Sequence, residues 1–251
     1  MRGWWREISG LVLPVSCGGC GKPRTELCEE CRADLCGQAP RRVRPAPEPR
    51  GLPVVHAAAG YENAVRAVLL AHKERGALGL AGPLGKALAG AVQAGARYAG
   101  DVGPLLLVPV PSARRAVAAR GHDPTRRIAL AAAGELRRRG TRARVVAVLR
   151  QRRPVADQVG LGARQRQENI AGALEVVAGG ERLLAAGRVV LVDDLLTTGA
   201  SLAEAARAIA TAGGREGVAH GTGQAAVVAV SPSAFEINRN CQRTCIVAGS
   251  E

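Results

Sequence analysis

Four almost unbroken apolar runs limit the fold of this chain most: LLLVPV at 105–110, VVAVL at 145–149, RVVLV at 188–192 and AAVVAV at 225–230. A strand with one wet face alternates apolar and polar residues, so runs without alternation belong to strands covered on both faces. Helical patterns precede and separate them. Residues 61–75 place Val65, Val68, Leu69 and His72 on one face, and residues 84–95 repeat Leu84, Leu88 and Val92. The segment from Asp123 to Arg139 opens with an N-cap and a proline at the first helical position, and it stops at Gly140. This alternation predicts an α/β fold, a mostly parallel sheet flanked by helices. With 251 residues, 47% hydrophobic and 22% charged, the chain can bury a core without disulfides.

The apolar runs are far shorter than the roughly 20 residues a bilayer requires, so no membrane span is expected. The N-terminal apolar stretch is broken by Glu7, Ser9, Gly10 and Pro14, which argues against a signal peptide. A cytoplasmic location follows as the expectation, and there thiols stay reduced. The chain divides into a cysteine-bearing module at 1–38, a Pro/Arg linker at 39–53, an α/β domain at 54–235 and a tail at 236–251. The linker has five prolines and neither helical nor strand periodicity.

Cys17-x2-Cys20 and Cys28-x2-Cys31 are separated by seven residues. Two thiolates on each of two tight turns can close a tetrahedron around a structural Zn²⁺. Gly18, Gly19 and Gly21 permit the first turn. A disulfide pair or four unconnected thiols are the competing readings. Cys36 is a spare, and Cys241 and Cys245 have no partner pair.

The segment VVLVDDLLTTGAS at 189–201 is the richest in chemistry. It reads as a buried strand, two acids, a hydroxyl- and glycine-containing turn, then a helix opening with a capping-box pattern, Ser201-x-x-Glu204. Free amides at a helix N-terminus, joined by the hydroxyls of Thr197, Thr198 and Ser201 and by the backbone at Gly199 and Ala200, make a cradle for a phosphate dianion. Asp193 and Asp194 could accept hydrogen bonds from vicinal sugar hydroxyls, so a 5-phosphorylated ribose fits both halves. Two acids that merely cap a neighbouring helix are the plainer alternative.

Positive charge is concentrated in the middle of the chain. The net formal charge is +14, and residues 101–170 carry 15 Arg against 5 acids. That excess implies anionic partners or only a solvated surface. Five aromatic residues, Trp4, Trp5, Tyr61, Tyr98 and Phe235, give little basis for stacking on single-stranded bases.

At the Asp-Asp and Thr-Thr-Gly residues the sequence resembles a type I phosphoribosyltransferase. With the four-cysteine head it resembles the ComF family, associated with bacterial competence and DNA uptake, over roughly residues 8–232. The resemblance implies a phosphoribosyltransferase-like domain that binds 5-phosphoribosyl 1-pyrophosphate (PRPP) and, with Mg²⁺, transfers phosphoribose to a nitrogenous acceptor. A non-catalytic PRPP- or nucleotide-sensing adaptor is the alternative, with single-stranded DNA or competence proteins as partners. It also implies that Asp193 and Asp194 take the ribose hydroxyls, residues 197–201 the 5-phosphate, and Val110, Pro111, Ser112, Ala113, Arg114 and Arg115 the pyrophosphate. Lys73, Arg120 and Arg164 become further anion contacts, and Gln158 matches the family's glutamine. The family's aromatic residue and Asn-Gln after Arg-Gly are replaced here by His122, Asp123 and Pro124, and its usual Thr by Ser201.

Overall fold

Neighbouring residues of the apolar runs point into different cores, as full burial of a strand requires. Leu105 and Leu107 join one buried cluster while Leu106 and Val108 join another, and Val190 and Val192 part from Val189 and Leu191 in the same way. The computed structural model describes residues 15–96, 103–153, 163–213, 223–232 and 234. Gln158, Cys241, Cys245, Trp4, Trp5, Tyr98 and Phe235 lie outside those residues, as does the side chain of Arg164.

The central sheet is built from β1 (Arg41–Val43), β2 (Val54–Gly60), β3 (Leu105–Pro109), β4 (Ala143–Val145), β7 (Arg188–Leu196) and β8 (Gln224–Val230). Its order is β1-β2-β8-β7-β3-β4, parallel except for the antiparallel edge strand β1. A second, two-stranded antiparallel sheet pairs β5 (Leu149–Gln151) with β6 (Leu174–Val176). One face of the large sheet is covered by α1 (Glu29–Cys36), α2 (Asn63–Glu74), α3 (Ala81–Ala96) and α5 (Pro124–Arg138). The other carries the small sheet, α7 (Gly180–Leu184) and α8 (Ala200–Ala212). Two shorter helices, α4 (Arg114–Arg120) and α6 (Ala163–Ile170), complete the order.

The helical faces read from sequence are the buried ones. Val68, Leu84, Leu88 and Val92 are almost wholly enclosed, and Asp123 caps α5 by accepting from the Arg126 N–H at 3.0 Å. Two expectations need correction, and one strand adds to those predicted. The run 145–149 is not one strand, because the chain leaves β3 after the Val146 N–H bonds to the Leu107 carbonyl and starts β5 only at Leu149. The Pro/Arg stretch contributes β1, with two exposed arginines and a buried Val43, a strand too short to show a period. Residues 54–60 also form a strand, though VVHAAAG is poor in β-formers. Burial between β1 and β8 decides it.

Candidate functional site

The crevice follows from topology. The chain leaves β3 towards α5 on one face of the sheet, and it leaves the adjacent β7 towards α8 on the other. Diverging connections of this kind open a cleft outside the carboxyl ends of the strands, where ligands of such sheets bind. The Val110 N–H donates to the Val192 carbonyl at 2.9 Å, so the loop of Val110, Pro111, Ser112 and Ala113 starts beside Asp193. Arg114 and Arg115 open α4, exposed and without a partner among the described residues.

Across the cleft, Gly199 is the N-cap of α8 at φ 77°, a left-handed conformation that glycine adopts without strain. A Cβ there would also press on Leu52 and Pro45, at 3.1–3.3 Å. Thr197, Thr198 and Ser201 are half-buried around this turn, and Ala200 is buried. The capping box is absent. Glu204 turns inward instead, 5% exposed, accepting from the Leu174 N–H at 3.0 Å and from Arg207 at 2.7 and 2.8 Å. A tertiary N–H and a guanidinium outcompete the local cap, and no side chain caps the N-terminus of α8.

Asp193 and Asp194 lie within β7, whose ladder with β8 continues to Leu196. Asp194 is buried and accepts from the Lys73 ammonium at 2.7 Å, although 121 positions separate the two residues. Burial would push Lys73 down, but Asp194 and, beyond it, Asp193 hold it above its ordinary value. Asp193 accepts from the Asp194 N–H at 2.8 Å. Burial first, then the like charge of Asp194, push the Asp193 carboxyl well above the usual carboxylate range.

That strain predicts a measurable exchange of stability. Asp193→Asn keeps an oxygen for the Asp194 N–H and removes the repelled charge, so it raises the melting temperature at neutral pH by about 2–4 °C, the effect of ~1 kcal/mol in a domain of this size. A carboxyl with a raised native pKa favours folding while it is protonated and loses that contribution as pH rises through the native value. The gap between variant and wild type therefore closes on acidification towards the ordinary value of about 3.9 and opens above it. Melting curves from about pH 4 to about pH 8 check this; a gap independent of pH contradicts it.

Arg120 is paired within the fold. Its guanidinium is bidentate on Glu74, at 2.9 and 2.7 Å. The basic run at 137–139 is also engaged within the molecule: Arg137 donates to the Ala143 carbonyl, Arg138 and Arg139 pair with Glu135, and Arg139 reaches Gln93. Glu74 and Arg207 were not singled out from sequence, since nothing local marks a charged helical residue as paired across the fold.

Along the side of α2 lies the cysteine cluster. Cys17, Cys20, Cys28 and Cys31 place all four sulfurs within 4.8 Å of one another, the one such group of three or more ligand side chains among the described residues. The Cys17–Cys28 and Cys20–Cys28 separations are 3.7 and 3.6 Å. A tetrahedron with metal–sulfur bonds of ~2.3 Å has edges of about 3.8 Å, whereas a disulfide would bring two sulfurs to about 2.05 Å. The four thiols are thus placed to hold a metal ion such as zinc. Gly19 is required by closeness, since a Cβ there would lie 2.6 Å from the Cys31 sulfur. Burial would raise the Cys17 thiol, but the N–H groups of Cys20, Cys28 and Gly19 outweigh it and lower it to about 6. Cys36 stands apart, half-buried, with its Sγ 3.9 Å from the Pro83 carbonyl. Cys17, Cys28 and Cys31 share their apolar cluster with α2 and α3, so the knuckle is continuous with the main core.

Compared with known proteins, the chain matches no family model, and no curated protein matches it. No helix among the described residues is long and apolar enough to cross a membrane.

Proposed function

We propose that this protein binds PRPP in the crevice between β3 and β7 and transfers its phosphoribosyl group to a nitrogenous acceptor. The observation that carries the reading is the meeting of Lys73 with Asp194 beside a glycine turn that opens α8. It joins an acid pair for vicinal hydroxyls, a cation for a diphosphate and an amide cradle for a phosphate. The topology does not require three such groups to converge in one cleft.

In the reaction the bond from C1 to the pyrophosphate oxygen breaks, pyrophosphate leaves with the electron pair, and a nitrogen forms the new bond to C1 and loses a proton. Asp193 and Asp194 hold the ribose hydroxyls, and the amides and hydroxyls of Thr197 to Ser201 hold the 5-phosphate. The Val110–Ala113 backbone, with Arg114, Arg115 and Lys73, faces the departing pyrophosphate, supplying orientation and charge neutralisation where negative charge develops. Mg²⁺, carried on the substrate's oxygens and water, would add neutralisation of the leaving group. The two acids and the open cleft fit that mode of binding, which needs no cage of protein ligands. The four cysteines hold a structural Zn²⁺ in this reading. The resemblance to the ComF family supports a cytoplasmic role in competence and DNA uptake.

The test is magnesium-dependent release of pyrophosphate from PRPP in the presence of a panel of nucleobases and amines. Release with at least one acceptor supports transfer. Binding of PRPP without release for any acceptor favours a sensing adaptor, and no binding overturns both.

A further inference from the structure

Lys73 is the one α2 side chain paired with the acid pair, and its two sequence neighbours are both fastened to the same corner of the chain. Glu74 takes the Arg120 guanidinium through two hydrogen bonds. The His72 carbonyl lies 3.2 Å from Nε2 of His122, and Nδ1 of the same ring lies 3.1 Å from the Arg120 carbonyl. Both carbonyls belong to helix ends. His72 is in the last turn of α2 and Arg120 is the last residue of α4, so neither carbonyl has a partner within its own helix. Carbonyls at that end carry the negative pole of the helix, where an imidazole N–H is favourable. As a neutral ring His122 donates to one of the two, and as an imidazolium to both.

The corner itself has little freedom. Gly121 is left-handed at φ 73°, with its N–H on the Val117 carbonyl, and Asp123 caps α5. The ring of His122 meets the edge of the buried His72 ring at a centroid distance of 5.7 Å. Burial keeps the His72 imidazole below its ordinary value.

We propose that His122 is a positioning residue: by bonding the end of α2 to the end of α4 it sets the height of Lys73 over Asp194. The inference rests on Lys73 belonging to the proposed site, but its test reads the ion pair itself.

The chain has three lysines, Lys22, Lys73 and Lys86, which makes competitive acetylation with mass-spectrometric readout decisive. In the wild-type protein Lys73 is protected by Asp194. In His122→Ala, Lys73 is expected to acetylate about fivefold faster, a loss of ~1 kcal/mol from the pairing, while Lys22 and Lys86 keep their rates. His122→Gln, whose amide still donates to the His72 carbonyl, should give an intermediate rate. If PRPP binds the wild type, its affinity falls in the same order across the variants; failure of PRPP to bind anything overturns the function and leaves the labelling result standing. Lys73 rates within twofold of wild type in both variants overturn the inference, as does equal acceleration of all three lysines in both.

Discussion

Asp194→Asn is expected to bind PRPP on the order of 100-fold more weakly than the wild-type chain while melting at nearly the same temperature. In the ligand the carboxylate would accept from sugar hydroxyls, and hydrogen bonds to a charged acceptor are worth ~1.5–3 kcal/mol each. An amide keeps the shape and loses the charge; about 2.7 kcal/mol corresponds to the 100-fold. Stability responds differently because two consequences oppose each other. The substitution relieves the repulsion that Asp193 suffers from its neighbour. It also leaves the Lys73 ammonium without its partner, but that side chain is about a third exposed, and solvent screens much of the loss. A purely structural role for the pair predicts the reverse pattern, a lower melting temperature with ligand binding unchanged. Calorimetric titration and thermal melting of the same preparations separate the two.

Cys28→Ser is expected to lower the melting temperature of the whole domain by about 10 °C, the equivalent of ~3–5 kcal/mol at ~2–4 °C per kcal/mol. Chelation of the wild type should do the same, and the purified wild type should contain about one zinc per chain. The size of the effect comes from location. Cys28 is buried at the start of α1, and with Cys17 and Cys31 it belongs to the cluster that also contains Val65, Val68 and Leu69 of α2 and Leu84 and Leu88 of α3. The first cysteine turn lies against α2 itself: a Cβ on Gly19 would lie 3.3 Å from Ala64, and one on Gly18 3.5 Å from Ala71. A separable knuckle would unfold alone and leave the remainder of the melt untouched. Here one cooperative transition should move as a unit, and loosening of α2 should reach Lys73. A zinc-free preparation, or a Cys28→Ser variant with an unchanged melt, contradicts this.

What could be read from the sequence was what a buried strand or an amphipathic helix imposes on neighbouring positions. The runs at 105–110, 188–192 and 225–230 fall on β3, β7 and β8 because both faces of those strands are covered, so apolar residues fill both. The face of Val65, Val68, Leu69 and His72 is the buried face of α2. The two acids, the turn and α8 are local in sequence, so their proximity was legible, and the four cysteines declared themselves by spacing. Distant partners were not. Ser201 and Glu204 have the spacing of a capping box, yet Glu204 goes to Leu174 and Arg207, a choice fixed by how the small sheet packs on α8. Arg120 looked available to an anion because Glu74, 46 positions earlier, carries no mark of pairing with it. The split of 145–149 likewise depends on which strand each half meets. Periodicity reports burial; it does not report the partner.

The most direct test is calorimetric titration of the intact protein with PRPP in the presence of Mg²⁺. Saturation at one PRPP per chain is predicted, with a dissociation constant in the micromolar-to-millimolar range usual for enzyme substrates, and roughly 100-fold weakening in Asp194→Asn. No saturable binding, or equal binding by Asp194→Asn, would contradict the assignment of the β3–β7 crevice as a phosphoribosyl site.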